Sequence, residues 1–389
     1  MIFKKFLAGS WKQQYQYKSY CPALVNQEWS WEDPRINVLL ENATRALGEL
    51  NAYTKIVPDV DLFIQMHILK EANTSSRIEG TKTHIEDDVL SVEEVAPEKR
   101  DDWQEVQNYV AAMNNAVKAL ESLPLSMRLI KDTHATLLAG ARGEKKTPGE
   151  FRRSQNWIGG SSPVDAVFVP PHHDDMPDLL SDLEKFWHNE QINVPKLIRA
   201  ALTHYQFETI HPFQDGNGRI GRLLIPLYFI SNRLLDKPSL YMSAHLEKYR
   251  DQYYDALMRV RTSNDIGHWC RFFLQAVIDT AEQGKITFQK ILALRQEMDS
   301  AVFKLGRRAE NARSLIRHLY KSPWITLPMI EKILQIKRNP ARALLTGMQA
   351  LGLLEEITGF KRNRIFLFRR YVDIFKDHEV ARARNESEL

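Results

Sequence analysis

Cysteine is nearly absent from this chain: two among 389 residues, Cys21 and Cys270, with no motif spacing between them. Neither a disulfide framework nor a thiolate zinc site is supported. Long apolar runs are missing too. Residues Met1 to Ser10 begin like a signal peptide, but Trp11-Lys12-Gln13-Gln14 ends the apolar stretch too soon, and no run reaches the roughly 20 apolar residues that a membrane span needs. No membrane partner is expected. A strong overall charge is lacking as well, since the net is +4. That charge is unevenly placed: residues 306–389 carry 17 Lys and Arg against 9 Asp and Glu, and the rest carries 36 against 40. What is present, 43% hydrophobic and 10% aromatic residues, suffices for real cores, and the length suggests two or three domains of a soluble globular protein.

The stretch that reads as chemistry is His211-Pro-Phe-Gln-Asp-Gly-Asn-Gly-Arg-Ile-Gly-Arg222. Gly216-Asn217-Gly218 precedes Ile220-Gly221-Arg222-Leu223-Leu224-Ile225, an apolar run of helical length, so the glycines fall where a helix begins. A helix N-terminus presents unpaired N–H groups and partial positive charge, and glycines let the backbone approach an anion closely. Asn217 can add an amide donor. Asp215, just before the cradle, is a hard oxygen ligand placed where Mg²⁺ would bridge polyphosphate oxygens. Arg219 and Arg222, three apart on one helix face, carry the forked guanidiniums best matched to phosphate. His211 is the general base that can take a proton from a hydroxyl at neutral pH, and Phe213 is expected to anchor the loop in the core. Each feature alone has an ordinary explanation: a structural histidine, a turn, a solvated helix face. Jointly these fail, because eight restricted positions at about one in twenty each are not met by chance in a chain of this length.

The segment resembles the signature of the Fic family, His-x-Phe-x-Asp/Glu-Gly-Asn-Gly-Arg-x-x-Arg, with every fixed position filled. The resemblance implies transfer of AMP from ATP, with Mg²⁺ as cofactor, to a Tyr, Thr or Ser hydroxyl of a target protein and of the chain itself. His211 would be the base and Asp215 the metal ligand. Gly216 to Gly218 would form the anion hole, Arg219 and Arg222 the outer-phosphate clamp, with Ile220 and Gly221 inside the ATP-binding stretch. Gly218 with Arg219 argues against the branch with a shortened cradle that acts as a kinase.

Upstream, Ser75-Ser76-Arg77-Ile78-Glu79-Gly80 closes the helical run Leu62 to Ala72. On its own this is a helix end with a glycine stop. It also resembles the inhibitory motif of Fic proteins, Ser/Thr-x-x-x-Glu-Gly/Asn, which implies that Ser75, Glu79 and Gly80 form a brake in which Glu79 pairs with Arg222 and denies it to the γ-phosphate.

Between Phe151 and Pro171, two short β-prone runs flank Gly159-Gly160-Ser161-Ser162-Pro163, a hairpin signal. By resemblance this is a flap whose open edge aligns a target segment by strand addition, with Asp165, Ala166, Val167 and Phe168 lining the nucleotide and Tyr253-Tyr254 near the adenine. The family often has Asn eight residues after the first Tyr; here it is Arg261, which puts the ribose or adenine contact in doubt. His172-His173-Asp174-Asp175 looks like a metal cluster, yet adjacent ligands point apart and the run reads better as a helix start.

In the basic C-terminal part, Arg313 to Lys321, Leu327 to Leu334 and Pro340 to Leu351 read as helices, and Leu353 to Phe368 as two strands around residues 358–363. That is winged-helix order. Lys337, Arg338, Arg342, Lys361, Arg362 and Arg364 could meet DNA phosphates, with protein binding or dimer packing as the alternative. Apolar residues at three and four spacing place further helices at 103–120, 127–138, 179–187, 195–208, 218–230 and 248–260, after one begun by Asp33-Pro34-Arg35.

The expected fold class is therefore mainly α: a Fic-type helical bundle with a β-hairpin flap, plus a C-terminal winged-helix domain. Residues 1–95 would form the N-terminal helical segment with the inhibitory motif, 96–300 the catalytic domain, 306–375 the winged helix and 376–389 a tail. The expected function is a self-inhibited protein adenylyltransferase of the cytoplasm, and a homodimer burying the inhibitory region fits such a regulator. Alternatives are removal of AMP from a modified protein in the same site, or a DNA-binding regulator working through 306–375.

Overall fold

The chain is described here by a computed structural model covering residues 1–140 and 146–376; most of the expected tail, 377–389, lies outside the described residues. Helices dominate, as the sequence periodicity implies. Helix α1 (Pro34–Ile56) starts at Asp33, whose side chain accepts the Arg35 N–H. Then follow α2 (Val60–Ile78), α3 (Ile85–Asp88), α4 (Arg100–Ala119), α5 (Met127–Leu137), α6 (Met176–His188), α7 (Lys196–Ile210) and α8 (Asn217–Ser231). The bundle is completed by α9 (Ser243–Lys248), α10 (Arg250–Ser263) and α11 (Ile266–Phe303).

Helix α11, 38 residues long, was not singled out by the sequence reading. Its buried Trp269, Cys270, Phe273, Leu274, Val277 and Ala281 do carry three and four spacing. It lies along α1, while α2 packs on α4 and α7 on α8. One continuous core joins all of these, from Phe3 to Phe375.

A second missed element is the N-terminal hairpin, β1 (Gly9–Gln13) paired antiparallel with β2 (Lys18–Pro22). The apolar residues that mimic a signal peptide are core anchors: Phe3 and Phe6 are buried against Trp29. Among the described residues no helix is long and apolar enough to cross a membrane.

The flap is slighter than expected. Its two runs meet in the single antiparallel bridge Ile158↔Phe168, and the Asp165 carboxylate closes the turn by accepting from the backbone N–H and hydroxyl of both Ser161 and Ser162. Its return run continues against the N-terminal hairpin, with the Tyr20 N–H donating to Val169 O at 2.9 Å.

C-terminal to the bundle come α12 (Ala309–Lys321), β3 (Trp324–Thr326), α13 (Leu327–Leu334), α14 (Arg338–Ala350), β4 (Glu355–Glu356), β5 (Ile365–Leu367) and α15 (Arg369–Asp373). The helices fall where the sequence places them. The sheet has a third strand that the sequence reading left out, and its order is β3-β5-β4.

The α7–α8 contact sets the geometry of the site. A Cβ on Gly221 would lie 2.0 Å from Glu208 Oε1, so a larger residue there would have to push that carboxyl aside. Gly221→Ala is expected to lower stability by about 1–3 kcal/mol through overpacking. Glu208→Ala in the same chain is expected to recover part of it, so urea unfolding should show clear non-additivity; additive losses would place the strain elsewhere.

Candidate functional site

Helix α7 ends at His211, which adopts left-handed backbone angles (φ 51°, ψ 59°), and α8 starts after Gly216, also left-handed at φ 75°. The six-residue connection is held from inside. Asn217 donates its amide to Phe213 O and accepts from Phe213 N, both at 2.8 Å. Its oxygen and one of its two amide hydrogens are thus used within the loop, a bracing role that the sequence reading did not foresee. Phe213 is buried as expected and stacks on His134 at 3.7 Å between ring centroids. Because His134 Nδ1 accepts from Gly149 N, its Nε2 carries the proton and donates to Asp215 O at 3.0 Å.

Two further residues pin this loop, and the sequence reading missed both. Arg152, almost fully buried, donates to His211 O, Ile210 O, Ser154 O and Pro171 O. Asn156 donates to His211 O and Phe213 O. Both sit in the stretch read as flap, where no periodicity marks a residue as structural. His134 falls on the apolar face of α5, a position that a sequence reading assigns to the core.

His211 is half-buried, and with Nδ1 shut off from solvent the ring nitrogen open to an incoming group is Nε2. Burial, with the Arg152 and Arg261 charges adding to it, pushes this imidazole down to about 4. It is therefore unprotonated at neutral pH, the state a general base requires.

Arg222 is the pivot. Its side chain is 1% exposed. Its Nε donates to Ser75 Oγ at 2.8 Å, and its NH2 donates to Ser75 O at 3.0 Å and Glu79 Oε1 at 2.6 Å. Burial disfavours the Arg222 charge and the Glu79 charge alike, but their mutual attraction outweighs it: Arg222 is raised and Glu79 lowered. The same Glu79 oxygen would lie 2.4 Å from a Cβ on Gly218. The carboxylate thus rests on the bare glycine at the start of α8, where an anion is favoured by the helix N-terminus. Gly80, with φ 107°, turns the chain away directly after it.

Arg219 is also buried but turns elsewhere, pairing with Glu105 of α4 at 3.1 Å and lying 3.9 Å from Asp215. The two arginines do not converge on one point: Arg222 faces α2 and Arg219 faces α4. The Asp215 carboxylate is 47% exposed and borders a cavity of about 60 Å³ whose lining includes Asp101, Glu105 and Arg219. These carboxylates are hard oxygen donors, so the residues present fit Mg²⁺ in chemistry.

Several residues expected to line a nucleotide have other partners or lie in the core. Asp165 is used by the flap turn and Phe168 is buried beneath the Arg261 guanidinium, 3.9 Å from its ring centroid. Ala166 is half-buried and Val167 is exposed. Arg261 itself donates to Thr209 Oγ1 and Glu208 O, a structural role that accounts for its presence in place of Asn. Ile220 lies in the core, and Gly221 is packed on Glu208 with its carbonyl accepting from His204 Nδ1. Tyr253 is buried and donates its hydroxyl to His204 Nε2, whereas its neighbour Tyr254 is 40% exposed. Glu208, absent from the sequence reading, is a buried carboxyl with Oε1 unpartnered, pushed up to about 7 by burial.

At 172–175 the expectation that adjacent ligands point apart is corrected. His172, His173 and Asp174 bring ligand atoms within 4.8 Å of one another. His172 Nδ1 nevertheless accepts the Asp174 N–H, and Asp175 pairs with Lys12, which is helix-start chemistry.

Residues 38–118 match the Fic/DOC family N-terminal profile, and residues 124–229 that of the Fic/DOC family. The protein adenylyltransferase Fic of Culex quinquefasciatus is 29% identical over 210 residues, covering 52% of this chain and 39% of that protein. That of Aedes aegypti is 31% identical over 175 residues, covering 44% and 32%. The chain thus spans about a third to two fifths of these relatives' length. In fold it is similar to a Fic family protein from Desulfovibrio desulfuricans G20, with a TM-score of 0.55 at 21% identity over 88% of this chain and 98% of that one. A Fic domain containing signaling protein from Bacteroides thetaiotaomicron VPI-5482 gives 0.51 at 18% identity, over 62% and 95%. In residues 38–118 and 124–229 the chain carries the two Fic/DOC family domains.

Proposed function

We propose that the protein transfers AMP from ATP to a Tyr, Thr or Ser hydroxyl of a protein, and that Glu79 holds the site inhibited. The observation that carries this reading is the Glu79 carboxylate on Gly218 and Arg222: an anion site at a helix start, near a neutral, half-buried histidine, filled by the chain's own anion. In the reaction the hydroxyl oxygen attacks the α-phosphorus, the bond to the pyrophosphate leaving group breaks, and the hydroxyl proton passes to His211 Nε2. The first-turn N–H groups and Arg222 stabilise charge on the phosphates, which is most of the catalysis that such transfers need. Mg²⁺ held by Asp215 would neutralise phosphate charge. Glu79 blocks the reaction because a phosphate must displace a bidentate-capable carboxylate from a dry arginine.

The identity of the relatives supports the AMP-transfer reading, since the matched proteins are named protein adenylyltransferases. Removal of AMP in the same site is favoured by one feature, the side chain of Glu79 being 39% exposed beside the anion site and so able to orient water.

The C-terminal elements run helix, strand, helix, helix, strand, strand, and we propose that they form a winged helix. Lys337, Arg338 and Arg342 at α14 and Lys361 and Arg362 in the β4–β5 turn are exposed. Arg364 also pairs with Glu356. A DNA role requires binding to random duplex that weakens with salt; a gel shift by the full chain that is absent at low salt leaves protein contacts as this module's role.

Glu79→Gly, given Mg²⁺ and ATP, is expected to label itself or lysate proteins from the α-phosphate at least about tenfold faster than wild type, as loss of a charge-assisted pair implies. Adding His211→Ala should remove about 10²-fold or more. Label from the γ-phosphate would mean kinase chemistry, and none from either position in Glu79→Gly would end the AMP-transfer reading. The lowered His211 value sets the pH dependence: the imidazole stays neutral until pH approaches 4. The acid limb of kcat/KM for Glu79→Gly should therefore fall well below pH 6, and a midpoint near the ordinary 6.5 would contradict a base held neutral by its surroundings.

A further inference from the structure

Helix α2 carries the brake at one end and touches the C-terminal elements at the other. Asp59, the residue before its first turn, accepts from Arg317 of α12 at 2.9 Å and pairs with Arg295 of α11 at 3.4 Å. One turn on, Phe63 is fully buried with its ring 5.1 Å from Tyr320 and 6.3 Å from Tyr371. A further turn on, His67 meets Phe375 at 5.1 Å and Phe288 at 4.8 Å. Ser75 and Glu79, on the last turns, hold Arg222. At about 1.5 Å per residue, the 19 residues of α2 make a rod of about 28 Å between the two regions.

The segment after the brake is gripped by the same elements. Asn73 of α2 donates to Thr83 O at 3.1 Å and to Asp88 Oδ2 at 2.5 Å, folding residues 79–88 back onto the helix. On α3, within this segment, Glu86 pairs with Arg369 of α15 at 3.1 Å and with Lys376 at 2.6 Å. The C-terminal elements therefore hold α2 at its start and α3 beyond its end, while Glu79 lies between the two grips next to Gly80.

We propose that the C-terminal elements set the brake: their grip on α2 and on Glu86 keeps Glu79 on Arg222, and loosening it frees the anion site. This rests on the inhibited AMP-transfer reading above. It makes a partner bound by the C-terminal elements a regulator of the catalytic site, because only a two-ended grip ties the position of Glu79 to the position of that module. A tighter or looser grip alters the fraction of chains with Glu79 displaced, and labelling rate follows that fraction.

The test uses the full chain with Arg369→Glu and Lys376→Glu together, the same pair with Glu86→Lys added, and all of these again in the Glu79→Gly background, with α-labelled ATP and Mg²⁺. These are surface pairs, each worth at most about fivefold, so the double variant is expected to label roughly three- to tenfold faster than wild type. Glu86→Lys should return the rate toward wild type, and in Glu79→Gly the double variant should change nothing. Wild-type labelling by the double variant while Glu79→Gly labels strongly would overturn the proposal, as would an equal gain in both backgrounds, which would bypass the brake. Should Glu79→Gly give no label, the AMP-transfer reading falls instead, and amide hydrogen exchange over residues 75–90 decides the grip: faster exchange in the double variant supports it, and unchanged exchange overturns it.

Discussion

A guanidinium with 1% of its surface exposed has to be fully partnered, and in this chain Arg222 finds its partners on a different helix. Taking an arginine out of water is costly unless charge and hydrogen bonds compensate. Ser75 supplies two acceptors and Glu79 the counter-charge. The join between α2 and α8 therefore has two consequences: the pair that makes burial of Arg222 tolerable also covers Gly218 at the start of α8, the anion site of the proposed reading. An incoming phosphate offers the same compensation that Glu79 does, which is why exchange between them is chemically reasonable.

The opposite wall of the site is braced by a different set of contacts. The turn from His211 to Gly216 carries backbone carbonyls that a helix end leaves unpaired, and Arg152, Asn156 and Asn217 satisfy them from three directions. His134 completes the set by stacking on Phe213 and donating to Asp215 O. In the proposed reading, the base His211 and the metal carboxylate of Asp215 thus stand on a braced loop while the inhibitory carboxylate of Glu79 stands at a helix end beside a glycine. Fixed catalytic groups facing a displaceable brake match what inhibited transfer chemistry needs.

The C-terminal elements share the hydrophobic core with the bundle rather than hanging from a linker. Phe63, Tyr320, Tyr371 and Phe375 form one aromatic cluster across the boundary. A buried aromatic join of this kind resists independent domain motion, which is the physical basis of the proposed link from the module to α2.

Sequence alone marked the loop 211–222 and the helices with strong apolar spacing, because each depends on residues close in the chain or on a motif of many restricted positions; the pairing of Glu79 with Arg222, 143 residues apart, came from family resemblance, since the residues around Glu79 by themselves read as a helix end. It also placed the C-terminal helices, whose periodicity is clear. It did not reveal the N-terminal hairpin, where buried Phe3 and Phe6 look like a leader until Trp29 is folded beside them. Nor did it reveal that Asn217 locks its own loop, that Arg261 covers Phe168, or that Arg219 and Arg222 part toward different helices. Those outcomes depend on which side chains lie across an interface from one another. Periodicity tells which face of an element is buried, and only the packed tertiary structure decides what that face meets.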